Sequence, residues 1–270
     1  MRHRALSALL ALAIAGAVGL GSGTAQAAPP AVSPPGANDW SCEPSAEHPR
    51  PVVLVHGTFE NMAKNWSVLS PQIAQAGYCV FALDYGNNAT GPVEDSAQEL
   101  ASFVDQVLAA TGAREVDLVG HSQGGMMPRH YLKFLGGTEE TGELIGIVPS
   151  NYGTTTPLTS PSGVVCEACA QQAQGSPFLT ELNADDDTPD GPDYTVITTR
   201  YDEVVTPYTN AFLHDGPAED LTNITVQDEC PNDVVEHDQS PNDPVVAQWV
   251  LHALDREGPA DPGFQPNCLP

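Results

Sequence analysis

Positive charge is what this sequence lacks most. Nine Lys plus Arg stand against 35 Asp plus Glu, a formal charge of −26. Such a surface repels phosphate backbones and anionic membranes, which argues against nucleic acid as a partner. Long apolar runs are missing as well. After Ala5–Leu20 nothing approaches membrane-spanning length, so no stable membrane insertion is expected. No internal repeat is present, which excludes a repeat array. Only one C-x-x-C occurs, Cys166 to Cys169, with no second to complete a zinc site. The acidic run from Asn183 to Gly191 lacks the spacing and closing Glu of an EF-hand, so it reads as a solvated loop and no metal is assigned.

What is present begins with an export signal. Arg2 and Arg4 precede the apolar run, and Ala25-Gln26-Ala27 is a small-residue cleavage site, so residues 1–27 read as a signal peptide. Removing them takes the formal charge to about −28, a composition that suits a secreted, extracellular protein kept soluble by charge. Residues 28–50 are rich in Pro, Ala and Ser and read as an extended arm. Residues 51–270 are long enough for a single α/β domain with its own core. Six Cys in an exported chain suggest three disulfides, with 15 possible connectivities. The sequential pairing is expected: Cys42 with Cys79, Cys166 with Cys169, Cys230 with Cys268. Cys42 and Cys268 lie in Pro-rich tails that need tethering.

Strand and helix signals alternate along the domain. Strands are expected at Pro51–His56, Tyr78–Asp84, Glu115–Val119, Leu144–Pro149, Tyr194–Thr199 and Leu221–Val226. Asn61–Ala76 reads as a helix broken by Pro71, with Trp66, Leu69 and Ile73 on one face. Ser96 and Glu99 form a capping box ahead of Leu100, Phe103, Val104, Val107 and Leu108, spaced for one helix face that ends at Gly112. The last helix starts with Asp243 as cap and Pro244 in the first position, and buries Val246, Trp249, Val250, Ala253 and Leu254. This alternation predicts a mostly parallel sheet flanked by helices, with the ligand site at the strand C-terminal ends.

The segment Gly120-His121-Ser122-Gln123-Gly124 sits between a valine-containing strand and a helix expected over Met126–Leu135, which Gly136-Gly137 stops, with Pro128 tolerable only in a first turn. A G-x-S-x-G in that setting is a nucleophile elbow of the α/β-hydrolase fold. The glycines permit a strained turn that lifts the Ser122 hydroxyl clear of the sheet. A hydroxyl needs a base, and the base needs an acid to orient it. In this fold the order is Ser, acid, His, each on a loop after a strand. Asp202 follows the fifth expected strand, with Glu203 in reserve. His237 follows the sixth and precedes the last helix, whereas His214 and His252 are misplaced. The backbone N–H groups of Thr58 and Gln123 are the oxyanion candidates, with the Thr58 hydroxyl as a further donor. His56 and His121 adjoin the site in packing or hydrogen-bonding roles. Only about 23 residues precede the first parallel strand after the signal, too few for the two antiparallel strands of a full α/β-hydrolase, so a reduced sheet is expected.

Leu54-Val55-His56-Gly57-Thr58, Gly120 to Gly125, Thr198-Thr199-Arg200-Tyr201-Asp202-Glu203-Val204-Val205 and the late His237 resemble the small secreted bacterial triacylglycerol lipases of lipase class 2. The resemblance covers roughly Pro51 to Glu257. It implies hydrolysis of fatty-acid esters, no cofactor and little lid. The chain departs from the group in its Cys166–Cys169 insert and its acidity.

Three functions follow: a lipase on lipid esters; a carboxylesterase or cutinase-like polyester hydrolase; or a non-catalytic binding protein on a hydrolase scaffold, against which the intact Ser122, Asp202 and His237 argue. A monomer is expected. Phe59, Phe178 and Leu179 are candidates for an acyl pocket. Between Ser122 and Asp202 the stretch from Thr154 to Asn183 is punctuated by Pro, Ser and a disulfide, so it can wall such a pocket, or simply cover the sheet edge, but cannot swing as a long helical lid.

Overall fold

A computed structural model describes residues 32–158, 166–217 and 219–269. The export signal, the first residues of the arm and part of the stretch after Thr154 lie outside them.

Six strands form one sheet: β1 (Val52–Val55), β2 (Val80–Leu83), β3 (Val116–His121), β4 (Thr141–Ile147), β5 (Asp193–Thr198) and β6 (Leu221–Thr225). Their order is β2-β1-β3-β4-β5-β6, and every neighbouring pair is parallel. This is the reduced parallel sheet that the sequence predicts. Parallel strands covered on both faces need apolar side chains in both rows. β1 shows this: Val53 and Val55 enter one cluster with the Val93–Thr111 helix, while Val52 and Leu54 enter another with the Leu69–Gln75 and Pro244–Leu254 helices.

Three helix starts differ from expectation. The long helix begins at Val93, not after Ser96. Ser96 lies inside it and donates to Pro92 O at 3.1 Å, while Glu99 reaches away to accept from Gly86 N. The capping-box pattern misleads because Pro92 already fixes an extended entry one turn earlier. The region after Asn61 is two helices, Met62–Asn65 and Leu69–Gln75, and the break precedes Pro71. Pro71 sits in the first turn of the second helix, where a missing N–H costs nothing. The helix after Ser122 starts at Gln123 and is itself divided, Gln123–Met126 and Pro128–Phe134, with Pro128 opening the second piece. The last helix is as read: the Asp243 carboxylate accepts from Val245 N and Val246 N at 2.8 and 2.9 Å.

The arm closes the outer edge of β2. Asn38 N–H donates to Val80 O at 2.9 Å, and the Asn38 side-chain amide exchanges two hydrogen bonds with Ala82, at 2.8 and 2.9 Å. The Cys42–Cys79 disulfide fixes the arm there. Cys166–Cys169 and Cys230–Cys268 are the other two bridges, so all six cysteines pair as expected.

The strands also bury charge, away from Ser122. Asp117 of β3 accepts from Arg50 Nε at 2.6 Å, and Glu143 of β4 accepts from Thr195 Oγ1 at 2.8 Å. Burial pushes the Asp117 carboxyl up to about 7, with Arg50 opposing the shift. Burial, and then the nearby Asp117 charge, push Glu143 well above the ordinary range.

Candidate active site

Ser122 stands at the turn between β3 and the Gln123–Met126 helix, with φ 55° and ψ −121°. A side chain rarely adopts that backbone conformation without surrounding constraint. The constraint is close packing: a Cβ on Gly120 would come within 1.8 Å of Gly124 O. The strand end is also held by Ser122 N donating to Ile147 O at 2.9 Å.

Asp202 and His237 arrive on loops after β5 and β6. His237 Nδ1 lies 2.9 Å from Asp202 Oδ2 and 3.0 Å from Oδ1. Asp202 Oδ1 also accepts from Val204 N and Val205 N, at 2.9 and 2.7 Å, so the carboxylate is fixed by its own loop. Both side chains are buried. A carboxylate can only accept, so His237 donates from Nδ1, and Nε2 is left with its lone pair. Ser122 and His237 line the same cavity of about 280 Å³. Among the described residues no hydrogen bond joins Ser122 Oγ to His237 Nε2, a contact that is often long before a substrate is engaged. Glu203 lies on the same loop as Asp202, but the contact to His237 is made by Asp202.

Thr58 and Gln123 flank Ser122 from two elements. Among the described residues, neither backbone N–H has an acceptor. Gln123 opens its helix, where an N–H has no intrahelical partner. The Thr58 hydroxyl accepts from Gln123 Nε2 at 2.9 Å and from Gln172 Nε2 at 3.0 Å. Two accepted bonds occupy its oxygen and leave its own proton free to donate elsewhere. Gln172 is anchored in turn by Ser150 Oγ, which donates to its Oε1 at 2.9 Å.

The two histidines beside the site differ. His121 lines the cavity and is buried, and burial holds its imidazole well below the usual pKa. His56 is buried outside the cavity lining, stacked on Tyr85 with ring centroids 4.4 Å apart.

The cavity wall is formed by Phe59, Pro157, Leu158 and Val204, with Glu60 and Asp238 beside them. Phe59 is there as expected. Phe178 and Leu179 are not among the lining residues: they belong to the core cluster of the Val93–Thr111 helix. The helix that carries them, Pro177–Leu182, is capped by Ser176 and turns its apolar side to the core, the covering role that its spacing also allowed. The acidic run is solvated only in part: Ala184, Asp185, Asp190 and Gly191 are exposed, but its centre is not. Asp187 is fully buried and accepts from His214 N, Asp215 N and Tyr152 OH, at 2.9, 2.9 and 2.8 Å. These donors replace water around the Asp187 carboxylate. Carboxylate oxygens of Asp186, Asp187 and Asp215 lie within 4.8 Å of one another.

Sequence reasoning missed Asn65 and Gln172. Each reaches the site across a long chain separation, Gln172 meeting Thr58 from 114 residues away, and neither carries a local motif.

The chain is similar in sequence and in fold to known proteins. A triacylglycerol lipase of Burkholderia plantarii is 36% identical over 135 residues, which cover 46% of this chain and 33% of that protein. One of Pseudarthrobacter phenanthrenivorans is 38% identical over 92 residues, covering 30% of this chain and 27% of that protein. The chain thus spans a third or less of the length of these curated relatives. In fold it is similar to Aspergillus fumigatus lipase B, with a TM-score of 0.72 at 21% identity over 82% of this chain and 56% of that one. It is also similar to an esterase of Pyrobaculum calidifontis, with a TM-score of 0.51 at 17% identity over 78% of each chain. These likenesses identify the α/β-hydrolase fold. Residues 49–250 match the family model of class 2 lipases, well over half of the sequence, and the chain belongs to that family.

Proposed function

We propose that the protein is a secreted serine hydrolase of carboxylic esters, a lipase acting on fatty acyl esters such as triacylglycerols. The observation that carries this reading is the meeting of a strained Ser122 and an Asp202-bound His237 in one cavity. His237 Nε2 takes the Ser122 proton as Oγ attacks the ester carbonyl. Asp202 stabilises the resulting imidazolium. The oxyanion accepts from Thr58 N–H, Gln123 N–H and the Thr58 hydroxyl. The imidazolium then protonates the departing alcohol, leaving an acyl group on Ser122. A water molecule, deprotonated by His237, releases the acid and restores Ser122. No step calls for a cofactor.

Residues 1–27 serve as a removable export signal, residues 28–50 as the arm and residues 51–270 as one catalytic domain that works as a monomer outside the cell. Three disulfides support the extracellular assignment, since such bridges persist in oxidising compartments.

The test is a series of p-nitrophenyl esters from acetate to palmitate, run beside a triacylglycerol emulsion and a polyester film. Hydrolysis of the emulsion supports the lipase. Activity confined to short soluble esters, or to the film, makes it a carboxylesterase or a polyester hydrolase. No hydrolysis of any substrate would leave a binding protein on a hydrolase scaffold.

A further inference from the structure

Three segments have to meet at Ser122: the Gly57–Thr58 turn, the end of β3 and the loop that carries His237. Two buried side chains join them. Gly57 N–H donates to Asn65 Oδ1 at 2.9 Å. The same oxygen lies 3.1 Å from His121 Nδ1. His121 Nε2 lies 3.1 Å from the His237 carbonyl oxygen. Asn65 and His121 are 6% and 2% exposed, so water does not compete for these contacts.

We propose that Asn65 and His121 are positioning residues: they set the oxyanion turn and the base loop against each other and act only through Thr58 and His237. The inference rests on the roles given to those two residues above.

Hydrogen-bond chemistry supports the coupling. Asn65 Oδ1 already accepts from Gly57, and the His237 carbonyl can only accept. Each ring nitrogen of His121 therefore faces an acceptor, yet a neutral imidazole has one N–H. Burial keeps the ring neutral. A cation there would also oppose the imidazolium formed at His237, whose ring centroid is 5.1 Å away. Its one proton therefore goes either to Asn65 Oδ1 or to the His237 carbonyl, and the other nitrogen only packs against its neighbour. The buried ring still lies between the two loops, bonded to one and packed on the other, so it sets their spacing.

Replacing His121 tests this. His121→Leu keeps much of the volume and no donor. His121→Gln places an amide N–H within reach of the His237 carbonyl. With p-nitrophenyl butyrate, His121→Leu should lower kcat by about 10- to 100-fold, the scale of a small misplacement of reacting groups. KM should stay within about twofold, and His121→Gln should recover most of the lost kcat. A Leu variant with wild-type kcat, or Leu and Gln variants equally impaired, overturns the proposal. Should His121→Leu fail to fold, Asn65→Ala must show the same fall in kcat at constant KM; a change in KM alone overturns the proposal. Ser122→Ala separates this inference from the functional reading. Inactive Ser122→Ala with an unimpaired His121→Leu overturns the positioning pair alone, whereas fully active Ser122→Ala overturns both.

Discussion

Gly124 lies flat against Val55: a Cβ built on it would stand 2.1 Å from Val55 O and 2.5 Å from His56 O. Both contacts are backbone, so no side chain can swing aside to make room. Gly124→Ala should therefore cost about 3 kcal/mol or more of stability, at or above the upper end for overpacking. Urea denaturation reads this directly. A loss below about 1 kcal/mol would mean that the helix after Ser122 can shift away from β1.

Ser122, His237 and Asp202 should behave as one unit. Ser122→Ala and His237→Ala should each lower kcat by several orders of magnitude, and the double variant little further. Asp202→Asn should cost about four orders of magnitude, because Nδ1 loses its acceptor and the imidazole its favoured tautomer. Glu203→Gln should stay near wild type. A severe loss at Glu203 with a mild one at Asp202 would move the acid.

Asp117 should make stability pH-dependent. Its carboxyl sits at about 7 in the folded protein against an ordinary 3.8. Between about pH 4 and 7 the folded state keeps a proton that the unfolded chain has released, so stability from this group falls as pH rises through that window. Glu143, also raised by burial, shifts stability in the same direction. Comparing wild type with Asp117→Asn by denaturation across this range isolates the effect: the wild type should lose more stability than the variant. Parallel curves would mean that Arg50, 2.6 Å away, keeps Asp117 ionised throughout.

Salt should stabilise the protein. Among the described residues three Lys or Arg side chains pair with carboxylates: Arg50 with Asp117, Lys64 with Glu60 and Arg200 with Asp228. Screening has few such attractions to weaken and a formal charge of −26 whose repulsion it relieves. At about 1 M NaCl the screening length is near 3 Å. The Tm should rise from low to molar NaCl; a flat or falling curve would show that the charges are too dispersed to repel.

The parts of the site that could be read in the sequence are those with a local reason. Gly120 and Gly124 bracket Ser122 because the turn leaves no room for a side chain, and that requirement shows as a motif. Asp202 and His237 were legible through order along the chain, since each strand end delivers one loop to the same rim. Contacts set by packing at a distance left no such trace. Asn65 looks like any residue near a helix end, and only the fold brings it to His121. Phe178 and Leu179 are apolar whether they face a cavity or the core, and spacing cannot tell which. Asp187 reads as solvated in an acidic run, because the amides that surround it come from the His214–Asp215 segment. The Ser96 capping pattern fits the helix rules, but the Pro92 backbone already begins the helix upstream.

The Asn38 amide bears on how this protein meets its own kind. With one N–H and one C=O turned to Ala82, it imitates a peptide group of a neighbouring strand. An exposed strand edge is a template on which other chains can assemble. Here that template is already occupied, and the occupant is held by a covalent bridge four residues on. A second molecule seeking to lengthen the sheet beside β2 must first evict a tethered segment of the first. The proline-rich arm, which reads in sequence as an extended segment rather than an element, thus occupies the edge on which a further strand would pair.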